Sequence, residues 1–375
     1  MTAEYTEEPR SGYFNCWTGR YPKSAVRTID LYMVWRDGEV FPPLAEFPNL
    51  TGLCVPGDLL NARLVAEVAR TNVTALAISM YDGPDPPDAV FELPRLSSLD
   101  MSGCGLMELP DRFTALPLLR HLDLANNELD ELPPSLLGLP ALVDLDLESN
   151  DFVVMPRFAR GSPLARLELS NNPFTTLDFA GMPRGLHELL VNGSLEQVTG
   201  EVAELTQLRV LALGSKLTEL PDLRSLPALR SLQLSGQLGE GLFDRLPNTL
   251  EELHGRGSHR VGITRIPPAV GRLTQLRVLD LPFEHITELA PELLEVPLAE
   301  LCLSSTRLAD TPTYAHLPAT LRRLELANVG MTRCPPRLGE LLELRKLVLN
   351  ANLVEVTDAV RALPHLQELG LSKPR

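Results

Sequence analysis

The sequence predicts an α/β-type solenoid, a horseshoe or arc with a parallel β-sheet on its concave face and extended, 3-10 or short helical segments on its convex face. Three observations predict it. Leu119, Leu122, Leu124, Asn127, Leu129, Leu132 and Pro133 are followed by Leu142, Leu145, Leu147, Asn150, Phe152, Met155 and Pro156, and then by Leu164, Leu167, Leu169, Asn172, Phe174 and Leu177. The 33 prolines are spaced along this pattern and not clustered. With only two Trp and eleven Phe, Leu has to fill most of the core.

Each position has a mechanical reason. In Leu-x-x-Leu-x-Leu the alternating apolar residues point inward from a short strand while those between them face solvent. The Asn suits an interior place where the chain leaves the strand, because its amide both donates to and accepts from backbone groups. The Leu-Pro pair then steers an extended or short helical return, since Pro fixes φ and biases the residue before it away from helix. One unit cannot bury its own leucines, so neighbours stack. Units start at Val26, Leu50, Val73, Leu96, Leu119, Leu142, Leu164, Leu186, Leu208, Leu229, Leu250, Leu276, Leu298, Leu321, Leu344 and Leu366. They form a domain of about sixteen units over residues 26–375, degenerate over 26–95 and clear over 96–375. At about 4.8 Å per strand the concave sheet is expected to run on the order of 70 Å.

Residues 1–25 carry Tyr5, Tyr13, Phe14, Trp17 and Tyr21, with Tyr32 and Trp35 just beyond. An N-terminal aromatic cap over the first strand is the expectation, and an aromatic interaction motif the alternative. At the other end Leu369-Gly-Leu371-Ser-Lys-Pro-Arg375 stops inside the repeat pattern. A partner or second subunit is expected to cover that end, or its last strand to fray.

These residues resemble the leucine-rich-repeat superfamily over nearly the whole chain. The stretch Leu132-Pro-Pro-Ser-Leu-Leu-Gly-Leu-Pro140 is similar to the short, Pro-rich repeats of bacterial and intracellular signalling members. The repeat half of secreted bacterial ubiquitin-ligase effectors is similar too, but their units are shorter. Their catalysis also resides in a separate helical module with a nucleophilic Cys, for which this chain has no room, so ligase activity is not carried over.

The formal charge of −15 argues against a general affinity for nucleic acid or anionic membrane. Cys16, Cys54, Cys104, Cys302 and Cys334 include no CxxC pair and no disulfide framework. The N-terminus lacks a basic and an apolar signal region, and no apolar run is long enough to span a bilayer. The expectation is cytoplasmic, with export by a specialised secretion system left open.

Binding in such a scaffold sits on the exposed strand positions. The position between the second and third Leu reads Asp100, Asp123, Asp146, Glu168, then Leu190, Ala212, Gln233, His254, Asp280, Cys302, Glu325 and Val348. The first four form an acidic stripe, thickened by Asp144 and Glu148 and extended by Glu188. Stacked like charges cost stability, which a basic ligand would offset, although solvated Asp at this position is the plainer explanation. A closed oxygen cage for a metal is not suggested. Basic residues collect later, at Arg322, Arg323, Arg345 and Lys346, with Arg209, Arg230 and Arg277 earlier in one of those columns. Between Leu250 and Leu276 the unit is enlarged by His254-Gly-Arg-Gly-Ser-His-Arg-Val-Gly262. There His254, Arg256, His259 and Arg260 are candidate contacts, against the plainer reading of a tolerated insertion. After Asn172 the ladder position becomes Ser194, Lys216, Gln237, Ser258, Glu284, Thr306 and Val329.

No catalytic constellation emerges, since His121, His187 and His254 share no nucleophile partner and nothing marks Cys54 or Cys302 as activated. The expected function is a non-catalytic protein–protein interaction scaffold, its partner a protein and by charge a basic one, with no cofactor, metal, nucleic acid or membrane insertion. Two alternatives stand beside it: an inhibitor or immunity-type protein wrapping a basic toxin or enzyme, and a recognition adaptor or secreted effector acting with a separate enzyme.

Overall fold

A computed structural model describes residues 23–31, 43–81, 83–236, 239–255, 262–335, 337–350, 358–361 and 363–372. The aromatic residues expected to form the cap, and Arg256, His259 and Arg260 of the insertion, lie outside these residues. Contacts divide the chain into two compact units, Met1–Pro173 and Phe174–Arg375.

In the first unit seven strands lie in chain order, every neighbouring pair parallel: β1 (Thr28–Asp30), β2 (Gly52–Pro56), β3 (Ala75–Ser79), β4 (Ser98–Asp100), β5 (His121–Asp123), β6 (Asp144–Asp146) and β7 (Arg166–Glu168). The later strands span only three residues because one inward Leu per strand suffices. Leu99, Leu122, Leu145 and Leu167 stand opposite one another in register and are almost wholly buried. Each such Leu contributes about 1.5–3 kcal/mol relative to exposure, and only because the next repeat covers it. The chain returns through 3-10 turns such as Phe113–Ala115, or the single helical turn α2 (Pro134–Leu137). One return among the degenerate units is a true helix, α1 (Ala62–Val68), which buries Leu64, Val65 and Val68. Its N-cap is Asn61, whose side chain accepts the N–H groups of Arg63 and Leu64.

The Asn positions form a buried ladder. Asn150 Nδ2 donates to the carbonyls of Leu147 and Glu148 in its own repeat and of Leu124 in the preceding one, while Oδ1 accepts the Leu129 N–H at 3.1 Å. Asn127 and Asn172 repeat the arrangement. The residue before each ladder Asn (Asn126, Ser149, Asn171) has φ of 56–59°, so the sharp exit from the strand is fixed by the ladder bonds.

In the second unit nine strands form a parallel sheet in chain order: β9 (Glu188–Val191), β11 (Val210–Leu217), β12 (Ser231–Gly236), β13 (Glu252–Gly255), β15 (Val278–Asp280), β17 (Glu300–Cys302), β18 (Arg323–Glu325), β19 (Lys346–Asn350) and β20 (Glu368–Ser372). Two short pairs flank it, β8 (Thr176–Asp178) with β10 (Gln197–Thr199), and β14 (Arg265–Ile266) with β16 (Glu288–Leu289). Where the ladder Asn is replaced, the backbone changes. Lys216 is exposed and pairs with Glu196, and its N–H donates to Leu195. Strand β11 therefore runs on to Leu217, with a register shift against β12. A Cβ on Gly214 would lie 2.4 Å from the Gly193 nitrogen, so the backbones of these two repeats approach too closely there for any side chain. Further along, Glu284 is buried at the ladder position and accepts the N–H groups of Gly262 and Ile263, anchoring the last residue of the insertion and the one after it.

Candidate binding face

The acidic column of the first unit lies in register on four adjacent strands, Asp100 opposite Asp123, Asp123 opposite Asp146, and Asp146 opposite Glu168. Each of these side chains also serves the chain locally. Asp100 accepts the Ser102 N–H, Asp123 that of Ala125, Asp146 that of Glu148 and Glu168 that of Ser170, all at 2.9–3.0 Å. Short acidic side chains recur here because they satisfy the amide where the strand ends. One oxygen of each is thereby engaged locally.

Arg166, on the first position of β7, was not among the residues singled out by the sequence. Its guanidinium reaches Asp144 Oδ1 at 3.1 Å and Asp146 Oδ2 at 3.4 Å through Nη1, and Glu168 Oε2 at 3.7 Å through Nη2. The stripe is thus partly compensated at the β6–β7 end. The register carried the signal, since Arg166 stands opposite Asp144. His121 Nδ1 lies 3.5 Å from the other Asp144 oxygen. Glu148 accepts the Asn171 amide at 3.0 Å.

Toward β4 and β5 the compensation weakens, Arg166 reaching Asp123 only through its longer-range charge. Asp100 and Asp123 have no cationic partner within ion-pair distance among the described residues. Burial pushes the Asp123 carboxyl up to about 6; the neighbouring Asp100 and Asp146 charges add to this, while the Ala125 N–H and the Arg166 charge oppose it. Glu168, only 7 % exposed, is also raised, chiefly by burial.

Other candidates are dispersed. Glu188 is half-buried on β9 and belongs to the second unit. His254 is largely buried on β13, its ring between Glu252 Oε2 (3.6 Å) and Asp280 Oδ2 (3.4 Å). Arg323 is held by Glu300 at 3.3 Å and Glu325 at 2.8 Å, and Lys346 by Glu368 at 3.1 Å. Of the four basic candidates, only Arg322 and Arg345 stay exposed without an ion pair among the described residues. Cys54 is buried. Burial pushes the Cys54 and Cys104 thiols up to about 11 and Cys302 to about 12, away from thiolate chemistry. Among the described residues no group of three or more His, Cys, Asp or Glu could hold a metal ion, and no helix is long and apolar enough to cross a membrane.

The short parallel strands, 3-10 returns and Asn ladder define a repeat solenoid presenting one exposed strand face per unit. The Leucine rich repeat family profile matches residues 94–152. A leucine-rich-repeat protein of Leptospira interrogans is 26 % identical with a TM-score of 0.76, over 94 % of this chain and 91 % of that one. An internalin of Listeria monocytogenes is 19 % identical with a TM-score of 0.62, over 82 % and 89 %. A chain of the Drosophila Toll–Spätzle complex is 20 % identical with a TM-score of 0.66, over 88 % of this chain and 47 % of that one. No curated protein matches the sequence. Residues 94–152 thus match the leucine-rich-repeat family, and the chain has the fold of leucine-rich-repeat proteins, a fold that generally mediates protein–protein interaction.

Proposed function

We propose that the protein is a non-catalytic interaction scaffold that takes a basic protein partner on the acidic strand face of its first unit. One observation carries this reading: the face already holds a guanidinium, that of Arg166, among Asp144, Asp146 and Glu168. One and two strands away Asp123 and Asp100 offer carboxylates of the same column without such a cation. A partner's Arg or Lys would extend that arrangement along the sheet and relieve the repulsion between neighbouring acids. An inhibitor of a basic enzyme is the narrower form of this reading, with the stripe steering association. A cytoplasmic location fits it.

The test uses Asp100→Asn with Asp123→Asn, because Asn keeps an oxygen for the Ser102 and Ala125 amides and removes only the charge. Affinity capture with the full chain should yield a basic protein. Its binding should weaken with salt and fall roughly tenfold or more in the double variant, the size expected for two close charge pairs. Capture of the same partners with unchanged affinity would overturn the proposal.

A further inference from the structure

The second unit carries a different charged surface. The residue just before each strand continues the backbone ladder: Arg209 N–H donates to His187, Arg230 to Arg209, Glu251 to Arg230, Arg277 to Glu251, Ala299 to Arg277, Arg322 to Ala299 and Arg345 to Arg322. These residues are therefore in register along one rim of the sheet, and five of the seven from Arg209 to Arg345 are arginines. In-register residues of a parallel sheet project to the same side.

Most of this charge is uncompensated. Arg230 is tied to Glu251 at 3.2 Å. Arg209, Arg277, Arg322 and Arg345 are exposed and make no ion pair among the described residues, the Arg277 guanidinium donating only to the Pro297 carbonyl. The acids of the adjacent column are spoken for: Glu252 lies against His254, Glu300 against Arg323 and Glu368 against Lys346. Glu343 is the further exposed acid beside the end of the row, two residues before Arg345. A protein of net charge −15 thus keeps about four free guanidinium groups in one line.

We infer that this arginine row of the second unit docks an extended acidic peptide segment of a partner protein. Arg209 to Arg345 spans six strand spacings, about 29 Å, which an extended peptide crosses in about nine residues. Exposed guanidinium groups match carboxylates in bidentate geometry. Phe, Tyr and Trp are absent from the row, so single-stranded nucleic acid would find no stacking platform there.

The experiment is fluorescence anisotropy of a labelled nonaglutamate peptide titrated with the full chain at low and moderate salt. Salt-sensitive binding is expected, weakened about tenfold by combined Arg277→Ala, Arg322→Ala and Arg345→Ala. The matching Lys triple variant should restore part of the affinity, since it returns the charge without the bidentate fork, and Asp100→Asn with Asp123→Asn should leave it unchanged. If the Ala triple variant fails to fold, Arg345→Ala alone should weaken binding about threefold. Absence of nonaglutamate binding, or binding insensitive to all row variants, overturns the inference. So does a labelled oligothymidylate of similar length that binds more tightly with the same dependence on the row.

Discussion

Lowering the pH from 7 to 5 should weaken a cationic partner's hold on the first unit about tenfold, and Asp123 supplies the reason. In the free protein burial raises its carboxyl to about 6, from an ordinary 3.8. At pH 5 most free molecules therefore carry a proton there, which a cation lodged beside Asp123 has to displace. If the bound cation returns the group to its ordinary range, the free state is favoured by a factor of about 11 at pH 5 and about 1.1 at pH 7, hence the tenfold difference. Affinity is present above the free-state midpoint and lost as pH falls through about 6. Glu168, raised in the same direction, adds to the trend. The assay is calorimetry with the captured partner at the two pH values, alongside carboxyl-carbon NMR of Asp123 with and without partner. Asp123→Asn should flatten most of the dependence. A wild-type affinity unchanged between pH 7 and pH 5, or an Asp123 midpoint near 4 in the free protein, would refute the reasoning.

Other consequences concern stability. Asn150→Ala removes four hydrogen bonds and orphans the buried Leu129 N–H, so a loss of about 3–4 kcal/mol in urea unfolding is expected. Thr306→Val removes one bond, to the Leu303 carbonyl, and should cost about 1 kcal/mol; equal losses for the two variants would contradict the ladder's role. Tyr314 buries its hydroxyl without a hydrogen-bond partner among the described residues. Tyr314→Phe should therefore stabilise the protein by about 1 kcal/mol, and a clear loss on calorimetric melting would show that the hydroxyl is satisfied in solution. Gly214→Ala drives a Cβ into the Gly193 backbone and should destabilise by about 1–3 kcal/mol, with faster amide exchange along β11.

Particular residues show what was legible beforehand. Leu122, Leu145 and Leu167 declare the strand core because their spacing admits only one inward-facing arrangement, and Asn127, Asn150 and Asn172 declare the ladder because a short amide there can donate to several carbonyls and accept an N–H at once. Helix α1 was hidden in the degenerate units, where a cap at Asn61 competes with a weak repeat signal. Reading Arg323 and Lys346 down one column concealed that Glu300 and Glu368 stand directly opposite them in register. Arg166 escaped for the same reason, its partners Asp144 and Asp146 lying 22 and 20 residues away in sequence, on the neighbouring repeat.

The amino-acid sequence by itself determined the parallel solenoid, the acidic column and the places where the ladder Asn is lost. These are periodic properties, set by which residues must face inward at each repeat. The tertiary structure decided which charges are free. Strand register places Arg166 among three acids and leaves Asp100 and Asp123 beyond its ion-pair reach, while it pairs Arg323 and Lys346 and leaves Arg209, Arg277, Arg322 and Arg345 exposed along one rim. Charge pairing falls off within a few ångströms, so it depends on which strands become neighbours, a fact written only in the folded chain.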